Sequence, residues 1–393
     1  MYTQMAALLF LPSVIFCATA GAQEDAEALA FGRSLVSIGD TSRLQQVLAR
    51  ARRGEKVVVG VIGGSITAGA RASTEENKWG SRVARWFRDT FPQAQIEHVN
   101  AGIGATGSSI AAHRLQGHLL DHHPDLVVVE FGVNDTNHEP AAETLEGVVR
   151  QILKQPNHPA VMLLFTMNRA GGNAQEWHSK VGEHYGLPMV SFRDALWPRI
   201  EAGELQWEDV EADEVHPNDR GHKYCADFVT HAIAGVLAKL PADDDLSGIP
   251  PVPEPLISDE FEFTRILNSA NVTPSTREGW TPTETGPFGP GWESAQPGSV
   301  LEIPFEGKTA SISFYRIKGD MGIAEVSVDE GPAKRLDAWF GADWGGYAVW
   351  EPVARGLGPG PHTLRVKLTA DNAEQSTGHR FEVYAVMVAG ARE

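Results

Sequence analysis

Val57-Val58-Val59-Gly60-Val61-Ile62-Gly63-Gly64-Ser65-Ile66-Thr67-Ala68-Gly69 is a run of branched residues that ends in glycines and delivers a single serine. Apolar positions follow one another from Val57 to Ile62 without polar alternation, the pattern of a strand buried on both faces. Such strands belong to parallel sheets covered by helices. The rest of the chain up to Leu240 agrees with that reading.

Ile96 to Val99, Leu126 to Phe131, Val161 to Phe165 and Met189 to Phe192 are further short apolar runs. Between them lie stretches of helical period: Thr41 to Arg53, Trp79 to Phe91, Ala111 to Leu120, Ala141 to Lys154, Gln175 to Tyr185 and Asn218 to Leu240. Strands alternating with helices predict an α/β domain with a parallel sheet. Ligands of open α/β sheets bind beyond the C-terminal ends of the strands.

Composition changes at Pro241. Asp243-Asp244-Asp245 and Pro250-Pro251-Val252-Pro253-Glu254-Pro255 have neither period nor apolar mass, and residues 241–256 read as a semi-rigid linker. Beyond it, short alternating runs at Val300 to Phe305, Ala310 to Tyr315, Ala324 to Val328, His362 to Leu368 and Phe381 to Val388 are punctuated by Gly and Pro. That spacing predicts an antiparallel β-sandwich over 257–393. The chain has 393 residues, enough for two cores, because single cores stop growing near about 250 to 300 residues.

The first 22 residues carry no charged side chain, and an apolar stretch from Met5 to Ala20 precedes Ala20-Gly21-Ala22, a small-x-small cleavage pattern. This reads as a secretory signal over 1–22, leaving 23–240 as the mature α/β domain. The stretch is shorter than the roughly 20 residues of a spanning helix, and Pro12 interrupts it. Secretion or a periplasmic location follows, with no membrane insertion after the signal is removed. Cys17 would leave with the signal, so the mature chain keeps one cysteine, Cys225, and no internal disulfide.

The net charge of −18 disfavours nucleic acid and anionic membranes as partners. It favours neutral substrates, carbohydrates among them.

Three motifs carry chemistry. A turn at Gly63-Gly64-Ser65 exposes the serine and leaves its backbone N–H facing an incoming carbonyl oxygen. Asn134, in Gly132-Val133-Asn134-Asp135, offers a side-chain amide, and Asp213-Glu214-Val215-His216-Pro217 offers an acid and a histidine three residues apart. A carboxylate there fixes the imidazole tautomer while the ring takes the serine proton. Together these are the parts of an acyl-transfer site. A fourth segment, Asn100 to Gly107, is glycine-rich enough for close backbone approach, so that an N–H of Gly104 or Ala105 faces the same oxygen. His113, His118, His122 and His123 with Asp121 have the spacing of no standard zinc site. No metal or organic cofactor is expected.

These four segments together resemble the SGNH, or GDSL-type, hydrolase family, which places Ser, Gly, Asn and His in ordered blocks. Gly63-Gly64-Ser65-Ile66 is similar to the first block, Asn100 to Gly107 to the second, Gly132 to Asp135 to the third, and Asp213 to Pro217 to the fifth. The likeness spans roughly Lys56 to Leu240. It implies a flavodoxin-like three-layer α/β fold, with Ser65 as nucleophile, His216 as base and Asp213 as its orienting acid. The implied oxyanion hole comprises the Ser65 N–H, an N–H of Gly104 or Ala105, and Asn134. Gly64 departs from the Asp that many members carry, and Ala105 occupies the place of a usual glycine.

The β-rich tail resembles the jelly-roll modules that accompany this domain in carbohydrate acetyl esterases. That implies a serine esterase acting on an acylated carbohydrate, with Trp339, Trp344 and Trp350 as candidates for stacking on sugars or for core packing. The alternatives are a lipase, thioesterase or arylesterase on the same fold, and a non-catalytic glycan-binding protein. A spacer-like linker predicts that the tail mainly engages or presents polymeric glycan; the alternative is that the sandwich packs against the α/β domain and supports its fold or walls its cleft.

Overall fold

A computed structural model of the chain describes residues 25–242, 246 and 248–391. The leader predicted over 1–22 lies outside the described residues, as do Asp243, Asp244 and Asp245 of the linker.

The first domain is a six-stranded sheet between two helical layers. Its strands are β1 (Leu35–Ser37), β2 (Val57–Gly63), β3 (Ile96–Gly102), β4 (Leu126–Glu130), β5 (Ala160–Phe165) and β6 (Met189–Ser191). Its helices are α1 (residues 25–34), α2 (Ser42–Arg52), α3 (Ser65–Ala68), α4 (Trp79–Thr90), α5 (Ser108–His118), α6 (Glu139–Leu153), α7 (Gln175–His184), α8 (Phe192–Glu201) and α9 (Asp219–Leu237). The sheet order is β1-β6-β5-β4-β2-β3, all parallel except β1, which is antiparallel to β6. Without β1 this is the flavodoxin-like order, and its switch point falls between β2 and β4. β2 is buried at every position, as its unbroken branched run requires.

Helices α2, α4, α8 and α9 cover one face of the sheet with Leu48, Phe87, Leu196 and Phe228, and α5, α6 and α7 cover the other with Leu115, Leu145 and Val181. The structure adds α1, β1 and α8 to the elements read from sequence. Phe192, expected to end a strand, instead begins α8. The Ser191 hydroxyl accepts the Asp194 N–H at 2.9 Å, a helix start with no loop before it.

The second domain is the expected antiparallel sandwich. Its strands are β7 (Thr264–Leu267), β8 (Thr276–Glu278), β9 (Thr281–Pro282), β10 (Trp292–Ser294), β11 (Val300–Glu306), β12 (Thr309–Arg316), β13 (Gly322–Val328), β14 (Lys334–Asp337), β15 (Tyr347–Ala354), β16 (Pro361–Asn372) and β17 (Phe381–Ala389). One sheet runs β15-β12-β17-β10-β9 with β7 also on β17, and the other runs β14-β13-β16-β11-β8. Leu301, Ile312, Val326, Leu364 and Val386 fill the space between them.

The two domains share an apolar seam: Ile110 of α5 packs with Phe288, Ala348, Tyr384, Ala385 and Met387 of the sandwich. The end of the linker is fastened to α6. Glu146, fully buried, accepts the backbone N–H groups of Leu256 (2.5 Å), Ile257 (2.8 Å) and Ser258 (3.0 Å). Arg150 donates to Pro253 O at 2.8 Å and to Glu262 at 2.9 Å.

Candidate active site

β2 ends at the switch point, and Ser65 begins the single turn of α3 that follows it. Gly64 leaves room for what lies above it. A Cβ there would stand 2.0 Å from Asn134 Oδ1, so the amide of the β4 loop rests directly on the serine turn. Asn134 Oδ1 is buried against that turn without a hydrogen-bond partner. A side chain at position 64 would thus have to displace the Asn134 amide.

The three residues of the serine, histidine and acid motifs form one hydrogen-bonded chain. Ser65 Oγ donates to His216 Nε2 at 2.9 Å, and His216 Nδ1 donates to Asp213, with both carboxylate oxygens at 2.9 Å. The tautomer follows from Asp213 accepting at Nδ1. Asp213 Oδ1 also accepts the backbone N–H groups of Val215 (3.1 Å) and His216 (3.0 Å), and Oδ2 accepts Arg71 Nε at 2.9 Å. Partial burial pushes the Asp213 carboxyl up, but the donors from His216, Val215 and Arg71 outweigh it and hold the group well below the usual carboxylate range. Asp213 is therefore charged wherever the protein is folded at ordinary pH, and can stabilise an imidazolium.

The remaining candidates converge on the same place. Gly104 approaches Ser65, whose Cβ would lie 3.9 Å from a Cβ at position 104. Ala105 adopts a left-handed φ of +55°, a conformation that costs a residue with a Cβ about 1 to 2 kcal/mol. Asp135 accepts the Ser108 N–H at 2.9 Å and the His178 Nε2–H at 3.1 Å, and so ties the Asn134 loop to α5 and α7.

The sequence reading did not single out Arg71 or Glu130. Glu130 ends β4 fully buried and accepts Thr67 Oγ1 of the serine turn (3.1 Å), Thr166 Oγ1 (2.7 Å) and the Gly132 N–H (3.1 Å). A Glu closing the apolar run Leu126 to Val129 was the available signal for it. Nothing local marks Arg71, because its role depends on a partner 142 residues away.

The histidines of α5 and the turn after it are dispersed. His113 is buried with Nδ1 donating to Ser109 O at 2.8 Å, and among the described residues no group of three His, Cys, Asp or Glu is placed to hold a metal. A cleft of about 410 Å3 opens beside Ala105 and Asn134 and is walled across from them by Tyr347, Trp350 and Arg355 of the sandwich. Arg355 meets Glu143 of α6 at 2.7 Å on that wall.

Residues 61–224 match the model of the GDSL-like lipase/acylhydrolase family. This region is similar to that family. The match contains the serine turn, the Asn134 loop and the Asp213–His216 segment. Among curated proteins, the thioesterase 1/protease 1/lysophospholipase L1 of Escherichia coli K12 is 26% identical over 180 residues, 43% of this chain and 79% of that protein. Likeness to one solved structure extends through both domains. The crystal structure of a two-domain esterase (CEX) active on acetylated mannans superimposes with a TM-score of 0.86 at 29% identity, covering 92% of this chain and 99% of the other. The same esterase co-crystallised with mannopentaose gives 0.84 over 92% and 98%. The GDSL-like domain and the sandwich therefore occur together, in this arrangement, in an esterase of known structure.

Proposed function

We propose that this chain is a serine esterase that removes O-acetyl groups from a carbohydrate through an acyl-enzyme. The observation that carries the reading is the unbroken chain from Asp213 through His216 to Ser65 Oγ beside a cleft shared by both domains. Ser65 Oγ attacks the acetyl carbonyl and passes its proton to His216 Nε2. The oxyanion is received by the N–H groups of Ser65 and Gly104 and by Asn134 Nδ2; Gly104 is favoured over Ala105 because it lies against the serine. His216 then returns the proton to the departing sugar oxygen, and a water activated by the same imidazole releases acetate.

The carbohydrate part of the reading is supported by the two-domain esterase active on acetylated mannans. The chemistry of the cleft is consistent with it. Tyr347 and Trp350 offer aromatic faces there, and Trp344, 60% exposed, lies against Tyr347 with ring centroids 5.3 Å apart and planes tilted by 37°. Trp339 contributes to the sandwich core instead. The leader pattern ending at Ala22 supports a location outside the cytoplasm, where polymeric glycans are met.

The Escherichia coli relative favours a second reading, a thioesterase or lysophospholipase. Acyl-chain length separates the two. Turnover of p-nitrophenyl acetate and acetylated mannan that collapses for octanoyl esters supports the acetyl esterase, and the reverse order overturns it. Ser65→Ala should lose both turnover and labelling by a fluorophosphonate. Activity retained in pure Ser65→Ala protein removes the acyl-enzyme, and an inactive wild-type chain leaves a glycan-binding protein.

A further inference from the structure

Arg114 lies on α5, 1% exposed, in the layer directly beneath the site. Among the described residues no carboxylate pairs with it. Its guanidinium donates to Ala101 O at 2.6 Å and to Gly63 O at 3.1 Å, its third contact is His118 Nδ1 at 3.5 Å, and its Nε–H has no partner. Burial pushes the group down to about 9, so it is charged at neutral pH. Burial and then the Arg114 charge lower His118, which leaves its Nδ1 free to accept.

A lone buried cation costs stability. An apolar side chain of similar volume avoids the desolvation and is often as stable or more so. What Arg114 holds is therefore informative. Gly63 O ends β2 two residues before Ser65, and Ala101 O lies in β3 three residues before Gly104. The Gly63 carbonyl also accepts the Ile103 N–H at 3.1 Å. One planar fork thus grips the ends of the two strands that deliver the nucleophile and a candidate oxyanion donor. In the low-dielectric interior that holds Arg114, fixed positive charge near a developing anion counts for more than it does in solvent.

We propose that Arg114 is a positioning residue for the transition state: its fork sets the spacing between the Ser65 turn and the Gly104 loop, and its buried charge favours the oxyanion formed between them. The inference rests on the acyl-transfer reading of the site. It separates Arg114 from an ordinary core residue, because geometry and charge at this point act on kcat rather than on substrate binding.

The test compares Arg114→Met, Arg114→Gln and Arg114→Lys in the full chain with p-nitrophenyl acetate, alongside thermal unfolding. Met and Gln should lower kcat by about 10- to 100-fold with KM within about threefold, and Lys, which keeps the charge and some of the hydrogen bonds, should recover most of the loss. Affinity for phenylboronic acid, which forms an anionic tetrahedral adduct on a serine, should fall by the same factor as kcat. Should Met fail to fold, the Gln and Lys pair carries the comparison. Wild-type kcat in a folded Met or Gln variant overturns the proposal, as does Lys no better than Gln. Failure of the underlying reading is distinguishable, because only then does Ser65→Ala keep its turnover.

Discussion

Asn134 rests on Gly64 with its Oδ1 buried, and in the proposed mechanism its amide is an oxyanion donor whose value is realised as charge develops. Asn134→Ala should lower kcat by about 100-fold with little change in KM; an effect confined to KM would make it a substrate-binding residue instead. Asp213 and Asp209 divide clearly. Asp213 holds His216, whereas Asp209 accepts the Gln206 N–H at 2.9 Å and caps a short turn. Asp213→Asn should therefore cripple turnover and Asp209→Asn should leave it largely intact, as read by kcat/KM. Glu211 is buried with Oε2 unpartnered. Burial, then the charges of Asp213 and Glu130, push its carboxyl up to about 9. The folded state holds this proton more tightly than the unfolded chain, so stability falls as pH rises from about 4.5 toward 9. Glu211→Gln should raise Tm by a few degrees at pH 8 and change it little at pH 4; a lower Tm at pH 8 would sink this reading.

At the scale of elements, α6 decides how the domains meet. Nearly every residue from Ala142 to Leu153 is buried, charged ones included, because the sheet covers one face and the linker and sandwich cover the other. Gly147 allows the closest approach: a Cβ there would lie 2.3 Å from Phe261 Cβ and 2.7 Å from Phe261 O. Gly147→Ala should loosen this seam and cost about 1 to 3 kcal/mol, measured by chemical denaturation. The helical period of Ala141 to Lys154 was legible in sequence, but the roles of Glu143, Glu146 and Arg150 were not. A charge on a helix reads as solvated until its partner is seen.

For the molecule as a whole, the Pro-rich segment predicted a spacer, but its end is stapled. Removing everything after Pro241 would leave Glu146 and Arg150 without the backbone groups they hold and would bare Ile110 and its surroundings. Buried polar groups stripped of partners are costly. The truncated chain should lose solubility and hydrolysis of p-nitrophenyl acetate together with activity on acetylated mannan. Selective loss on the polymer alone would show instead that the sandwich only presents glycan.

The sequence by itself determined the alternation of buried strands and helices, the antiparallel tail, and the serine, Asn134 and Asp213–His216 motifs, because period, glycine turns and short-range pairs are properties of neighbouring residues. Tertiary structure alone decided that Asn134 rests on Gly64, that Arg71 supports Asp213 and that Arg114 grips two strand ends. It also decided that a linker rich in proline is fixed and that the sandwich walls the cleft. Each of these depends on contacts between residues far apart in the chain, where composition and spacing carry no information about which surfaces will meet.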